Sequence, residues 1–269
     1  MNRVLTGIFR KEMKKMNAEI CYLTKNGSYS SPDKITPVGI VVHSTGVNQT
    51  KLARYVQPSD DDPNRDRLLS VLGKNKNGNS WNRPSVQKSV HFMIGKFADG
   101  KIGTVQTLPL EYAAWGVGRG KKGSYNYSPR AHIQFEVLED NLSDKNYFQT
   151  VYNEAVELCA SLCREYGWDE NVIVSHHEAY LKGYASNHAD IDHWLKKYKL
   201  KMDDFRNDVA KQLDPYITHR VVKGNTLKKI AKSYGTTTSR IVELNREKYP
   251  SLASNPNLIK VGWTLTIDR

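Results

Sequence analysis

Cysteine is scarce in this chain: three among 269 residues, Cys21, Cys159 and Cys163, an odd number with no CxxC spacing. That argues against a disulfide-stapled scaffold and against a cysteine-ligated metal site. Long apolar runs are missing as well. Nothing approaches the roughly 18 consecutive apolar residues of a membrane span, so no membrane insertion is expected. The opening MNRVLTGIFRKEMKKMN is basic but has no apolar stretch followed by a small-residue cleavage site, so no secretory signal is expected and synthesis should leave the chain in the cytoplasm. Acidic residues are in deficit, 28 against 40 basic, for a formal charge of +12. The excess calls for a polyanionic partner, and both nucleic acid and an anionic cell-wall polymer qualify. A nucleic-acid surface would interleave basic residues with exposed aromatics in a stripe. Lys196 to Lys201 around Tyr198 is only a short run, so nucleic acid is not the expected partner.

What the chain does have is histidine in a telling place. Val172 to Trp194 reads VIVSHHEAYLKGYASNHADIDHW, four histidines, two aspartates and a glutamate behind a β-branched run. Imidazole and carboxylate are the ligands of a catalytic divalent zinc ion, where three protein groups leave a fourth position for water. Taken singly, each of these residues is more simply a solvated loop residue. A distant partner tips the balance: His43 ends the apolar run of GIVVHSTG, at a strand end that faces the functional edge of an α/β sheet. Val172 to His176 reads as a second buried strand closing on a histidine. His176 and His177 would point to opposite faces of such a strand, so only one reaches a shared ion. Asp190 competes with Asp192 and His193 for the remaining place.

The body alternates strands and helices: strands at Ile35–His43, Ser89–Lys96, Ile102–Thr107, His132–Leu138 and Val172–His176, helices at Asp144–Tyr166 and Met202–Gln212. This is an α/β pattern with a mixed central sheet flanked by helices. Cys159 and Cys163 share the apolar face of the long helix and are assigned to packing. Residues 57–84, rich in Asp, Asn and Gly, read as a long surface loop. Residues 1–32 read as an N-terminal extension, 33–212 as the main domain, 213–217 as a linker and 218–269 as a second unit. That unit carries ten basic and three acidic residues, over half of the net charge. It reads as strand His219–Lys223, helix Leu227–Tyr234, helix Thr238–Arg246, an Asn/Pro-rich loop and strand Thr264–Ile267.

The second unit resembles a LysM domain through RVVKGNTLKKIAKSYGTT, IVELNRE and NPNLIKVGWTLTI, in that order. The resemblance implies a small βααβ fold holding N-acetylglucosamine-containing glycan between Gly224, Asn225, Thr226 and Leu227 on one loop and Pro256, Asn257, Leu258 and Ile259 on another. Asn225 stands where aspartate is usual, and Asn caps a helix about as well. From about Ile35 to Val209 the chain resembles the zinc-dependent N-acetylmuramoyl-L-alanine amidases related to phage endolysins and peptidoglycan recognition proteins. The residues that carry this are GIVVHSTG, SVHFMIGKFADGKIGTVQTLP, AAWGVG, IQFEVLED and SHHEAYLKGYASNHADIDHW. The resemblance implies zinc on His43, His176 and Asp190, an acidic catalytic residue at Glu136, and oxyanion contact from His188. His91, Trp115 and Asn126 would flank the substrate groove, although His91 and Trp115 also suit a core. Relatives often carry histidine after that tryptophan; here Gly116 follows. The implied protein is a peptidoglycan hydrolase released by a holin-type or lysis-dependent route. The alternative is a peptidoglycan binder of the same fold that does not cut.

Overall fold

The computed structural model describes residues 18–256 and 258–268. Residues 1–17 of the expected extension, and Asn257 of the expected glycan loop, lie outside the described residues. The chain forms two compact units that divide between Arg206 and Asn207.

The first unit is built on a six-stranded mixed sheet. Its strands are β1 (Glu19–Ile20), β2 (Ile40–Ser44), β3 (Phe92–Lys96), β4 (Ile102–Gln106), β5 (Ile133–Val137) and β6 (Ile173–Ser175), in the order β1-β4-β3-β5-β2-β6. Only the β3–β4 pair is antiparallel. β2 lies between β5 and β6 and every one of its residues is buried, which explains its unbroken apolar run. In register, His43 on β2 pairs with Glu136 on β5, so two ionisable side chains sit side by side near the carboxyl end of the parallel strands.

Helices complete the layers. The short α1 (Gly27–Ser30) and α2 (Arg65–Leu72) precede the long α3 (Lys145–Tyr166), which packs on β3 and β4. Asp144 accepts from the amides of Asn146 and Tyr147 to cap α3, and Gly167, at φ 69°, closes it. Cys159 and Cys163 are fully buried on its inner face, as expected. Two short helices, α4 (His176–Lys182) and α5 (Asp192–Lys197), bracket the histidine-rich segment, and α6 (Met202–Leu213) follows. Among the described residues no helix is long and apolar enough to cross a membrane.

Three expectations change. Residues 57–84 are not all loop, because Leu68, Leu69 and Leu72 bury one face of α2. Residues 18–32 belong to the body: β1 extends the sheet, and Cys21 and Leu23 enter the core. His176 does not end a strand. Ser175 accepts from the Glu178 amide while the Glu178 side chain accepts from the Ser175 amide, a capping box that makes His176 the first residue of α4.

The second unit pairs β7 (Tyr216–Arg220) with β8 (Thr264–Asp268) antiparallel, with α7 (Leu227–Ser233), α8 (Thr238–Asn245) and the four-residue α9 (Ser251–Ser254) between them. Its first strand starts three residues before the expected one, and α9 occupies part of the expected loop. Val221, Leu227, Ile230, Ala231, Ile241, Leu252, Leu265 and Ile267 form its core. Asn245 stitches α8 to β8, donating to Thr266 O at 2.7 Å and accepting from Thr266 N at 2.8 Å. Thr226, not Asn225, caps α7; Asn225 Oδ1 instead closes the preceding turn, accepting from Val222 N and His219 Nε2.

Candidate metal centre and active-site cleft

Three donor atoms converge at the carboxyl end of β2. His43 Nδ1 lies 3.1 Å from His176 Nδ1 and 3.2 Å from Asp190 Oδ2, and His176 Nδ1 lies 3.5 Å from that same oxygen. All three residues are buried. Their outer hydrogen bonds fix the tautomers. His176 Nε2 faces the Ser186 carbonyl at 3.1 Å, which only accepts, so Nε2 carries the proton. His43 Nε2 faces Gln134 Oε1 at 3.2 Å. The Gln134 amide nitrogen is committed to Asn126 Oδ1 and to the Ala114 carbonyl, so its oxygen must be the atom that faces His43. In the neutral rings both Nδ1 atoms then present lone pairs to each other and to a carboxylate oxygen. Burial pushes the His43 imidazole down, toward its neutral form. Burial works against the Asp190 carboxylate, so its charge too calls for a cation close by. Lone pairs packed this closely repel unless a cation lies among them, so the donor set fits a metal ion.

The donors open onto a cleft of about 360 Å³, also lined by Glu136, His188, Tyr55, Trp81, Lys88 and Gly116. Glu136 Oε2 is buried and accepts no hydrogen bond from the described residues. Burial raises its carboxyl well above the ordinary value, Asp190 adds to the rise and Lys88 opposes it. His188 stands at the rim with its side chain 61% exposed, Nδ1 3.6 Å from Asp190 Oδ1 and its ring stacked on His176.

The competing residues are placed elsewhere. His177 turns to the His188 carbonyl, and on a helix it lies about 100° round from His176 instead of on an opposite face. His193 binds Glu139, whose other contact, with Gly46 N, ties the loop after β2 to α5.

Two of the expected groove residues belong to the interior. His91 is fully buried, accepting from Gln134 N and donating to the Tyr112 carbonyl, so its core role is the one the fold gives it. Asn126 is buried behind the site and orients Gln134. Trp115 packs its ring beside Gly27 and does not line the cleft. Gln134 itself escaped the sequence reading, yet IQFEV held a signal: Gln134 and Glu136 share one face of a strand otherwise apolar. In the second unit, Gly224, Thr226, Pro256 and Leu258 are exposed, whereas Leu227 is core and cannot touch glycan.

A mixed sheet that brings two imidazoles, a carboxylate and a part-buried glutamate with one unpartnered oxygen to one cleft has the layout of a hydrolase able to hold a metal ion. Residues 33–193 match the N-acetylmuramoyl-L-alanine amidase family, and the chain belongs to it; residues 219–268 match the LysM domain. The chain is 26% identical over 238 residues to the N-acetylmuramoyl-L-alanine amidase XlyA of Bacillus subtilis (strain 168), a match covering 87% of this chain and 62% of that protein. To XlyB of the same organism it is 24% identical over 215 residues, covering 70% of this chain and 60% of that one. The chain thus spans about three-fifths of the length of these relatives. Among solved structures, Staphylococcus aureus hydrolase AmiA, in complex with its ligand, is 18% identical with a TM-score of 0.47, covering 74% of this chain and 84% of that one.

Proposed function

We propose that this protein hydrolyses the amide between N-acetylmuramic acid and L-alanine in peptidoglycan, with a zinc ion on His43, His176 and Asp190 and the LysM unit holding the enzyme on glycan. The observation that carries this is the triangle of lone-pair donors beside Glu136. Tetrahedral zinc with ligands at about 2.0–2.1 Å sets its donors about 3.3 Å apart, and the three edges here are 3.1, 3.2 and 3.5 Å. When bound, zinc polarises a carbonyl and brings the acidity of water near neutrality.

The chain's own groups do the rest. Gln134 and the Ser186 carbonyl keep the protons of His43 and His176 on Nε2, so that Nδ1 remains a ligand. Glu136 takes a proton from the attacking water and returns it to the leaving amide nitrogen, work suited to a carboxyl whose proton affinity burial has raised. His188, at the rim, donates to the carbonyl oxygen as negative charge grows there. In the LysM unit the loop Gly224–Thr226 and the segment from Pro256 to Ile259 would take the glycan. The net charge of +12 suits a wall rich in anionic polymers.

The test is a digest of purified peptidoglycan, with and without chelator, scoring new amino termini against new reducing sugars. New L-alanine amino termini that vanish with chelator and in His43→Ala are the expected result. Sedimentation with the wall but no cleavage would leave a binding protein and refute the hydrolase.

A further inference from the structure

Charge is partitioned sharply in the first unit. No acidic residue occurs between Glu111 and Glu136, a stretch that holds Arg119, Lys121, Lys122 and Arg130, and none occurs between Glu178 and Asp190, which holds Lys182. All five cations are exposed. Among the described residues none of them takes part in an ion pair. The fold brings the two stretches together. Lys122 N donates to Gly183 O, Tyr125 N to Tyr184 O and Ser186 N to Val117 O. A Cβ on Gly120 would overlap the Gly183 carbonyl, so the two backbones touch. The Tyr125 ring stacks between His132 and Tyr184, at 3.9 and 4.9 Å, and stiffens the base of the lobe. Two adjacent clefts, about 760 and 470 Å³, share Arg119 and Lys122 as a common wall.

From this arrangement we infer a polyanion-binding surface on the catalytic unit itself, formed by Arg119, Lys121, Lys122 and Lys182 with Arg130 at its edge, and fitted to a phosphodiester-linked polymer of the cell wall. Like charges held together on a stapled scaffold, with no carboxylate among the described residues lining either cleft, repel one another and gain most from a ligand that repeats its negative charge. Because the backbone is already tied down, little ordering accompanies binding. Single-stranded nucleic acid is the poorer match, since Tyr125 and Tyr184 are occupied with each other and Arg130 covers Tyr184, which among the described residues leaves only Tyr127 and Tyr180 at the clefts for base stacking. An anionic membrane is poorer still, for Leu181 is the one strongly exposed aliphatic residue of the lobe among the described residues. The choice of a wall polymer rests on the proposed wall substrate.

The test uses the full chain and compares binding to purified walls before and after their phosphodiester polymers are stripped by acid. The variants are Arg119→Ala/Lys121→Ala/Lys122→Ala/Lys182→Ala and the charge-conserving Arg119→Lys/Lys121→Arg/Lys122→Arg/Lys182→Arg. At about 0.1 M salt the alanine protein is expected to bind intact walls about tenfold or more weakly and stripped walls as wild type does. The charge-conserving protein is expected to match wild type on both. Unchanged binding of the alanine protein to intact walls, equal loss on intact and stripped walls, or loss in the charge-conserving protein would each overturn the inference. So would tighter wild-type binding to a single-stranded oligonucleotide or to phosphatidylglycerol vesicles than to soluble poly(glycerol phosphate). If no protein releases amino termini from stripped walls, the hydrolase proposal fails, while the binding comparison still decides this one.

Discussion

At the scale of single residues, the proposed metal site depends on groups that would not touch the ion. Gly116 is the sharpest case, because a Cβ there would overlap Gln134 Oε1 and come within 3.3 Å of His43 Nε2. Gln134 has no slack, since its amide is fixed by Asn126 and Ala114. Gly116→Ala is therefore expected to turn His43 and weaken zinc retention by about 10–100-fold, measured by competition with a chromogenic chelator, and to cost about 1–3 kcal/mol of stability through the overlap. Unchanged zinc affinity would show that Gln134 does not hold the ring. A second residue-scale expectation concerns acid. Burial depresses His91 and His132 to about 4, below the unfolded value of about 6.5. The unfolded chain then binds more protons, so their contribution is intact above pH 6.5, declines as pH falls toward 4 and levels off below. Two such groups make this a loss of about 6 kcal/mol at full extent, roughly 3 apiece. Two groups act in the opposite sense: His193, raised by Glu139 but a third exposed, and Glu136, raised by burial. In urea melts from pH 7 to 4, His91→Asn should lose about 3 kcal/mol less than wild type; the same profile in both proteins would contradict neutral burial of that ring.

At the scale of elements, the second histidine is aimed by the start of a helix. Arg206 grips both Glu178 oxygens, at 2.8 and 2.9 Å, and donates to the Ile173 carbonyl, while Glu178 completes the capping box of α4. Glu178→Ala removes a cap and strips the part-buried Arg206 guanidinium of its bidentate partner, leaving it Asp203 and the Ile173 carbonyl, for an expected loss of about 2 kcal/mol in chemical denaturation, together with weaker zinc binding through His176. Stability lost with zinc affinity intact would separate the helix from the site. This anchor was invisible in sequence, because SHHE reads equally well as strand end or helix start until Arg206 is found beside it. Much else was legible: the buried runs of β2 and β6 and the apolar face of α3. The helix α2 was hidden because Leu68, Leu69 and Leu72 are diluted by polar neighbours. His91 was misplaced because a histidine satisfied by backbone looks, in sequence, like one that faces a ligand.

At the scale of the whole molecule, the two units have separate cores and unequal charge, the second carrying ten basic and three acidic residues. If the LysM unit acts by keeping the catalytic unit at the wall, it raises local substrate concentration without altering the chemistry. Removal of residues 215–269, which leaves α6 whole, is then expected to spare hydrolysis of a small soluble muropeptide. Hydrolysis of insoluble walls should fall by about 10²-fold. Salt should act on the same term: screening shortens from about 10 Å at 0.1 M to about 3 Å at 1 M, so added salt should slow the full chain on walls and leave soluble turnover alone. The truncated protein should lose part, not all, of that salt dependence, because the basic lobe around Arg119 and Lys122 remains on the first unit. Equal wall activity with and without residues 215–269 would refute tethering. Equal salt sensitivity of soluble and insoluble substrates would place the charge effect in the cleft, beside Lys88 and Glu136, instead of on the wall-facing surfaces.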